Sequence, residues 1–142
     1  MNEHKITLTA SPQPEDAKAI ERGLIAYNAS QGIPFDWVPL GIFIRGPGDE
    51  IVGGLKGGTY WGWLYVGTLW ISEDLRGQGL GSRLLSLAEK EAIKRDCKHS
   101  FLDTTSFQAL PFYQKQGYML YSQLDDFPPG HARYFLKKSL CQ

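Results

Sequence analysis

The chain has 142 residues, with 15 Lys and Arg against 15 Asp and Glu, 42% hydrophobic residues, 16 Gly and 8 Pro. That length favours one domain over residues 1–142, able to bury roughly 70% of the surface its unfolded chain exposes. A formal net charge of zero, with no long tract of like charge, leaves nucleic acid and anionic membranes without an electrostatic basis as partners.

Residues 5–9 alternate apolar Ile6 and Leu8 with polar neighbours, which predicts a half-buried strand. Pro14, Glu15 and Asp16 then suit the first turn of a helix, and Ala17, Ile20 and Leu24 carry its apolar stripe until Gly32 and Pro34 end it. Residues 40–44 and 51–55, around turn residues 46–49, predict a hairpin. Gly53, Gly54, Gly57 and Gly58 mark a bulge or a close backbone approach in its second strand. Residues 60–71 predict a long aromatic strand, with Trp61, Trp63 and Tyr65 on one face and Tyr60, Leu64 and Val66 on the other. One of those faces is core; the other is either packing beneath a helix or an acceptor wall that holds a cation by cation–π attraction.

Residues 79–95 predict the strongest helix, with Leu80, Leu84, Leu87, Ala88 and Ala92 recurring at three and four residues. A strand at 99–102, a short helix at 107–116 ended by Gly117, and strands at 118–121 and 133–136 complete the pattern. A Pro-Pro-Gly turn at 128–130 separates the last two strands, and the segment 125–131 either rims a pocket or simply turns the chain. Cys97 and Cys141 make no disulfide framework, and their spacing to His99 and His131 matches no zinc pattern, so no metal is expected. No run of about 18 apolar residues occurs, and a soluble cytoplasmic protein is the expectation.

The chemistry is concentrated in Arg76, Gly77, Gln78, Gly79, Leu80, Gly81 and Ser82, between the aromatic strand and the strong helix. Glycines at alternate positions let the backbone curl and a ligand approach its N–H groups. The helix that begins there presents unpaired N–H groups and its positive dipole end, and Arg76 adds a charged donor. Phosphate or pyrophosphate is the natural guest. A Walker loop would need Lys followed by Ser or Thr after its last glycine, and a dinucleotide fingerprint would need a βαβ setting near the start of a domain. Neither pattern is met.

Arg76, Gly79 and Gly81 occupy the fixed positions of an R-x-x-G-x-G motif, and Ala109, Phe112, Tyr113, Gly117 and Tyr118 follow an A-x-x-F-Y-x-x-x-G-F pattern. With these two motifs in order, the chain resembles the GNAT family of N-acetyltransferases over nearly its whole length. The resemblance implies a mixed, mostly antiparallel, twisted α/β sheet of about six to seven strands flanked by helices. It implies acetyl-CoA as co-substrate, with pyrophosphate on residues 78–82 and pantetheine paired to backbone groups of Trp70 and Ile71, where two parallel strands splay apart. Ser106 stands where family members often carry an Asn that touches the pantetheine arm. Glu73 stands where many carry proline.

The family reaction is direct attack of an uncharged amine on the thioester carbonyl in a ternary complex. Tyr113 matches the family tyrosine that hydrogen-bonds the coenzyme sulfur and is assigned as general acid. Asp103 is preferred as base over Glu73 and His131. A small-molecule primary amine is the expected acceptor. A protein lysine or N-terminus and a noncatalytic CoA-binding module are the alternatives, and the shape around residues 60–65 discriminates a closed pocket from a peptide groove. A homodimer is compatible with the aromatic surplus and the edge strands.

Overall fold

The computed structural model describes residues 3–140, so Cys141 lies outside them. The chain divides into two compact units, Met1–Phe35 and Asp36–Gln142. The first contains α1 (Pro14–Ser30), with proline in its first turn beside Glu15 and Asp16. The Gln31 N–H closes that helix by donating to the Ala29 and Asn28 carbonyls. The strand expected at residues 5–9 is absent: no ladder forms there, and Ile6 and Leu8 are 98% and 97% exposed. Alternation supplies a side-chain pattern but no pairing partner for the backbone, and without a partner no strand forms.

The second unit runs β1 (Val38–Arg45), β2 (Ile51–Tyr60), β3 (Trp63–Ile71), a 3-10 turn (Glu73–Leu75), α2 (Leu80–Lys94), β4 (His99–Thr105), α3 (Leu110–Lys115), β5 (Met119–Asp125) and β6 (Ala132–Ser139). Among the described residues the sheet has six strands in the order β1-β2-β3-β4-β6-β5. Every neighbouring pair is antiparallel except β3 with β4. Parallel neighbours need a crossover, and α2 supplies it. Its apolar stripe of Leu84, Leu85, Ala88 and Ala92 meets Leu55, Leu64, Val66, Leu102 and Leu136 of the sheet in the core. The two alanines are fully buried, which lets the helix axis approach the strands closely.

The long aromatic strand expected over 60–71 is two strands. Trp61 (φ 50°) and Gly62 (φ 81°) both have positive φ and form a two-residue turn between β2 and β3. The Asp36 carboxylate accepts the Trp61 N–H at 3.0 and 3.3 Å, which holds a bulky residue in this conformation. Tyr60 pairs with Trp63 across the turn, so it shares the face of Trp63 rather than opposing it. Leu64 and Val66 point into the core, and Trp63 and Tyr65 therefore lie on the sheet face away from α2.

The glycine-rich β2 shows the close approaches its sequence implies. Gly57 pairs with Val66 while Lys56 pairs with Thr68, so Gly67 is an inserted residue that bulges β3. A Cβ at Gly57 would fall on the Tyr65 carbonyl oxygen. Gly57→Ala is accordingly expected to lower stability by about 3 kcal/mol, read as a lower urea midpoint at unchanged slope.

A buried polar network fastens α2 to the sheet. The Tyr118 hydroxyl lies 2.7 Å from Ser100 Oγ and donates to Glu89 Oε2 at 3.0 Å, and Lys138 Nζ donates to Glu89 Oε1 at 2.8 Å. Burial, more than the neighbouring Glu89 charge, pushes the Tyr118 phenol up. Tyr118→Phe strands one acceptor and one hydroxyl in the interior, and a loss of about 2 kcal/mol in denaturant unfolding is expected.

Candidate active site

The parallel ladder between β3 and β4 runs from Trp63–His99 to Val66–Leu102 and stops. Both strands continue, β3 to Ile71 and β4 to Thr105, so their C-terminal ends diverge. The bulge at Gly67 falls at the point of divergence and bends β3 away from its neighbour. Along the separated stretch, the Ser72 N–H donates to the Val52 carbonyl at 2.9 Å. Antiparallel alternation then turns the Trp70 polar groups towards β2 and those of Leu69 and Ile71 towards the gap. This corrects the expectation for Trp70: it reaches the gap with its half-exposed indole, not with its backbone. Leu69 was missed because bulge position and ladder register decide which amide faces outward.

A cavity of about 620 Å³ opens where the strands part. Trp70 and Ile71 form one wall, Arg76, Gly77 and Gly79–Ser82 a second, and Phe107, Ala109, Phe112 and Tyr113 a third. Gln78 sits at the exposed tip of the loop and does not line the cavity. Gly79 is the residue before α2, at φ 76°, and no side chain caps the helix. The first turn holds no acidic residue, in contrast to Glu15 and Asp16 on α1. The first intrahelical bond is Arg83 N–H to the Gly79 carbonyl, and the N–H groups of Leu80, Gly81 and Ser82 have no backbone partner among the described residues, at the positive end of the dipole. A Cβ built at Gly77 or Gly79 would meet nothing within 4 Å, so the concavity is open on that side. Arg76 donates Nε–H to the Ile71 carbonyl at 2.9 Å, tying the loop to the end of β3 and leaving its terminal nitrogens for a ligand. Cavity, free N–H groups and arginine together fit a diphosphate attached to an extended arm.

Tyr113 is buried in the cavity wall, and among the described residues its hydroxyl has no hydrogen-bond partner. Burial, reinforced by the Asp103 charge, pushes its phenol up to about 12. Pro111 lies in the first turn of α3, where its missing N–H costs nothing, so the helix starts at Leu110 rather than 107. Asp103 lies on the sheet face away from α2, and Arg133 donates to its Oδ1 from Nε and Nη2, both at 2.8 Å. Oδ2 is left without a partner among the described residues. Ser106 does not line the cavity: its Oγ accepts the Ala132 N–H at 3.1 Å and lies 3.3 Å from His131 Nδ1. The Ser106 hydroxyl thus clasps the start of β6. His131 packs edge-on to Phe107, and Glu73 is exposed at the start of the 3-10 turn. Among the described residues no cluster of His, Cys, Asp or Glu could hold a metal ion.

Comparison with known proteins bears on the same site. Residues 12–118 match the family model described as Acetyltransferase (GNAT) family. Acetyltransferase Atu2258 of Agrobacterium fabrum is 39% identical over 124 residues, covering 87% of this chain and 90% of that protein. Blasticidin-S acetyltransferase of Streptomyces morookaense is 44% identical over 96 residues, covering 67% of this chain and 71% of its own. The crystal structure of an acetyltransferase from Bacillus cereus superposes with a TM-score of 0.81 at 30% identity, over 94% of this chain and 97% of that one. The splayed strands, the glycine cradle at α2 and these relatives agree, and the chain belongs to the GNAT family of acetyl-CoA-dependent acetyltransferases.

Proposed function

We propose that this enzyme acetylates a primary amine of a small molecule, with residues 1–142 acting as one transferase domain. The observation that carries the reading is the divergence of β3 from β4 directly over a cavity walled by Tyr113. Acetyl-CoA, when bound, supplies the activated acyl group; the chain's own residues hold and aim it. The N–H groups of Gly79 to Ser82, the backbone of Gly77 and Gln78, and the free nitrogens of Arg76 receive the diphosphate. Leu69 and Ile71 offer backbone groups to the arm, and the Trp70 indole covers it.

Tyr113 is the acid at the sulfur. With its phenol at about 12 and a thiol near 8.5, complete proton transfer to the departing thiolate is uphill by ~5 kcal/mol. The hydroxyl therefore acts by donating a hydrogen bond as negative charge develops on sulfur. Asp103, anchored by Arg133 through Oδ1, presents Oδ2 to the amine and accepts its proton.

An aromatic pocket of about 460 Å³ lies around Tyr60, Trp61 and Trp63, a volume that suits a small acceptor. The name of the blasticidin-S relative supports the same class. No helix among the described residues is long and apolar enough to cross a membrane. A cytoplasmic site of action, a homodimer, and no nucleic-acid partner belong to this reading. The test is thiol release from acetyl-CoA across polyamines, aminoglycosides, amino acids and lysine peptides. Turnover with at least one small amine, above every peptide, is the expected result, and turnover confined to peptides would overturn it.

A further inference from the structure

The sheet face away from α2 carries the aromatic pocket of about 460 Å³, whose guest the chemistry above leaves unspecified. Its walls are aromatic: Tyr60, Trp61, Trp63, Phe101 and Tyr121. The rings brace one another, with centroids of Trp63 and Phe101 5.8 Å apart and those of Tyr60 and Phe101 6.4 Å apart, both edge-on. Trp63 stacks one face on His99, with centroids 4.6 Å apart, and the ring surfaces left in the lining are where another ring can pack. Lys137 is the one charged group in the lining. Its ammonium stands 5.5 Å from the Tyr121 ring centroid and makes no salt bridge among the described residues. A cationic guest would be repelled by that charge, whereas a ring bearing a carboxylate would stack and pair with it.

The pocket and the proposed base share strand β4, which carries Phe101 in the pocket lining and Asp103 beyond it. Phe101 and Asp103 are two residues apart on the same face of that strand, a separation of ~7 Å. A ring held against Phe101 therefore places a group on a three- or four-atom arm beside Asp103 Oδ2, at the mouth of the diverging strands.

We infer that this pocket seats a planar aromatic ring of the acceptor, that Lys137 pairs with an acidic or strongly hydrogen-bond-accepting group on the ring, and that the amine lies on a short arm reaching Asp103. The inference rests on the proposed amine acetylation and names its substrate class. Lys137 and Trp63 are then specificity residues remote from the bonds that change.

Three amines separate the elements of the proposal: 4-(3-aminopropyl)benzoate, its cyclohexane analogue with the same charges, and 3-phenylpropylamine without the carboxylate. The aromatic acid is expected to show a KM about tenfold below each of the other two, the size of one stacking or charge contact. Lys137→Gln, an exposed change, is expected to remove the preference over 3-phenylpropylamine while kcat at saturation stays unchanged. Trp63→Leu is expected to remove the preference over the cyclohexane analogue. Quenching of tryptophan fluorescence by 4-(3-aminopropyl)benzoate without acetyl-CoA reads the pocket independently of turnover. Quenching without acetylation would defeat the amine-transfer reading and leave the pocket standing. Equal KM values for the three amines, or a Lys137→Gln enzyme with its preference intact, would overturn the pocket.

Discussion

Tyr113→Phe is expected to lower kcat by about 10²- to 10³-fold, the usual scale for losing one hydrogen-bond donor positioned at developing negative charge, while coenzyme A binding changes little. The substitution keeps the ring that packs against Phe112 and Tyr118 at centroid distances of 5.1 and 6.1 Å, so the wall of the cavity survives. It removes only a hydroxyl that has no partner within the described protein, so stability should not fall. Single-turnover kinetics with acetyl-CoA and calorimetry with coenzyme A separate the two effects. Equal loss of binding and turnover would assign Tyr113 to packing instead.

The raised phenol also sets a pH signature. A tyrosine near 12 in the folded protein and about 10 unfolded binds its proton more tightly when folded. Its contribution is complete below pH 10 and is lost as pH rises through 12, so folding stability should decline over that window. The alkaline limb of the kcat profile below pH 10 should therefore be unchanged in shape by Tyr113→Phe.

The second large effect is expected at the cradle. Gly79→Ala places a side chain where φ is 76°, yet its Cβ would touch nothing within 4 Å. Left-handed backbone costs a non-glycine residue about 1–2 kcal/mol, and the exposed loop escapes that cost by relaxing to negative φ. Binding must then restore the original conformation to bring the Leu80, Gly81 and Ser82 N–H groups back into register. Coenzyme A is expected to bind about 5- to 30-fold more weakly, with the urea midpoint nearly unchanged. Acetyl transfer from acetyl-pantetheine, which lacks the diphosphate, should proceed equally in both proteins. A matching defect with acetyl-pantetheine would place the fault in the active-site strands rather than in anion binding.

The elements legible in the sequence are those whose signals are local. The stripe from Leu80 to Ala92 needs only the helical period, and it delivered α2 to within a residue of its observed ends. The glycines of the loop are legible because removal of Cβ is a property of single residues, and β2's glycines announced contacts that the Tyr65 carbonyl and the Trp37 ring then supplied. Pairing was less legible. Residues 5–9 have the alternation of a strand but no ladder, and the division of 60–71 at Trp61 depends on an Asp36 carboxylate distant in the chain.

The sequence by itself determined the glycine-rich loop before α2 and the order of most strands and helices, since each follows from residue type at short spacing, while Tyr113 was singled out by the family resemblance. Only the tertiary structure decided which amides face the gap, that Ser106 turns to Ala132, that Arg133 holds Asp103, and that Tyr60 joins Trp63 and Phe101 around one pocket. Those outcomes depend on strand register, where a shift of one residue reverses every side chain, and register is set by partners far away along the chain.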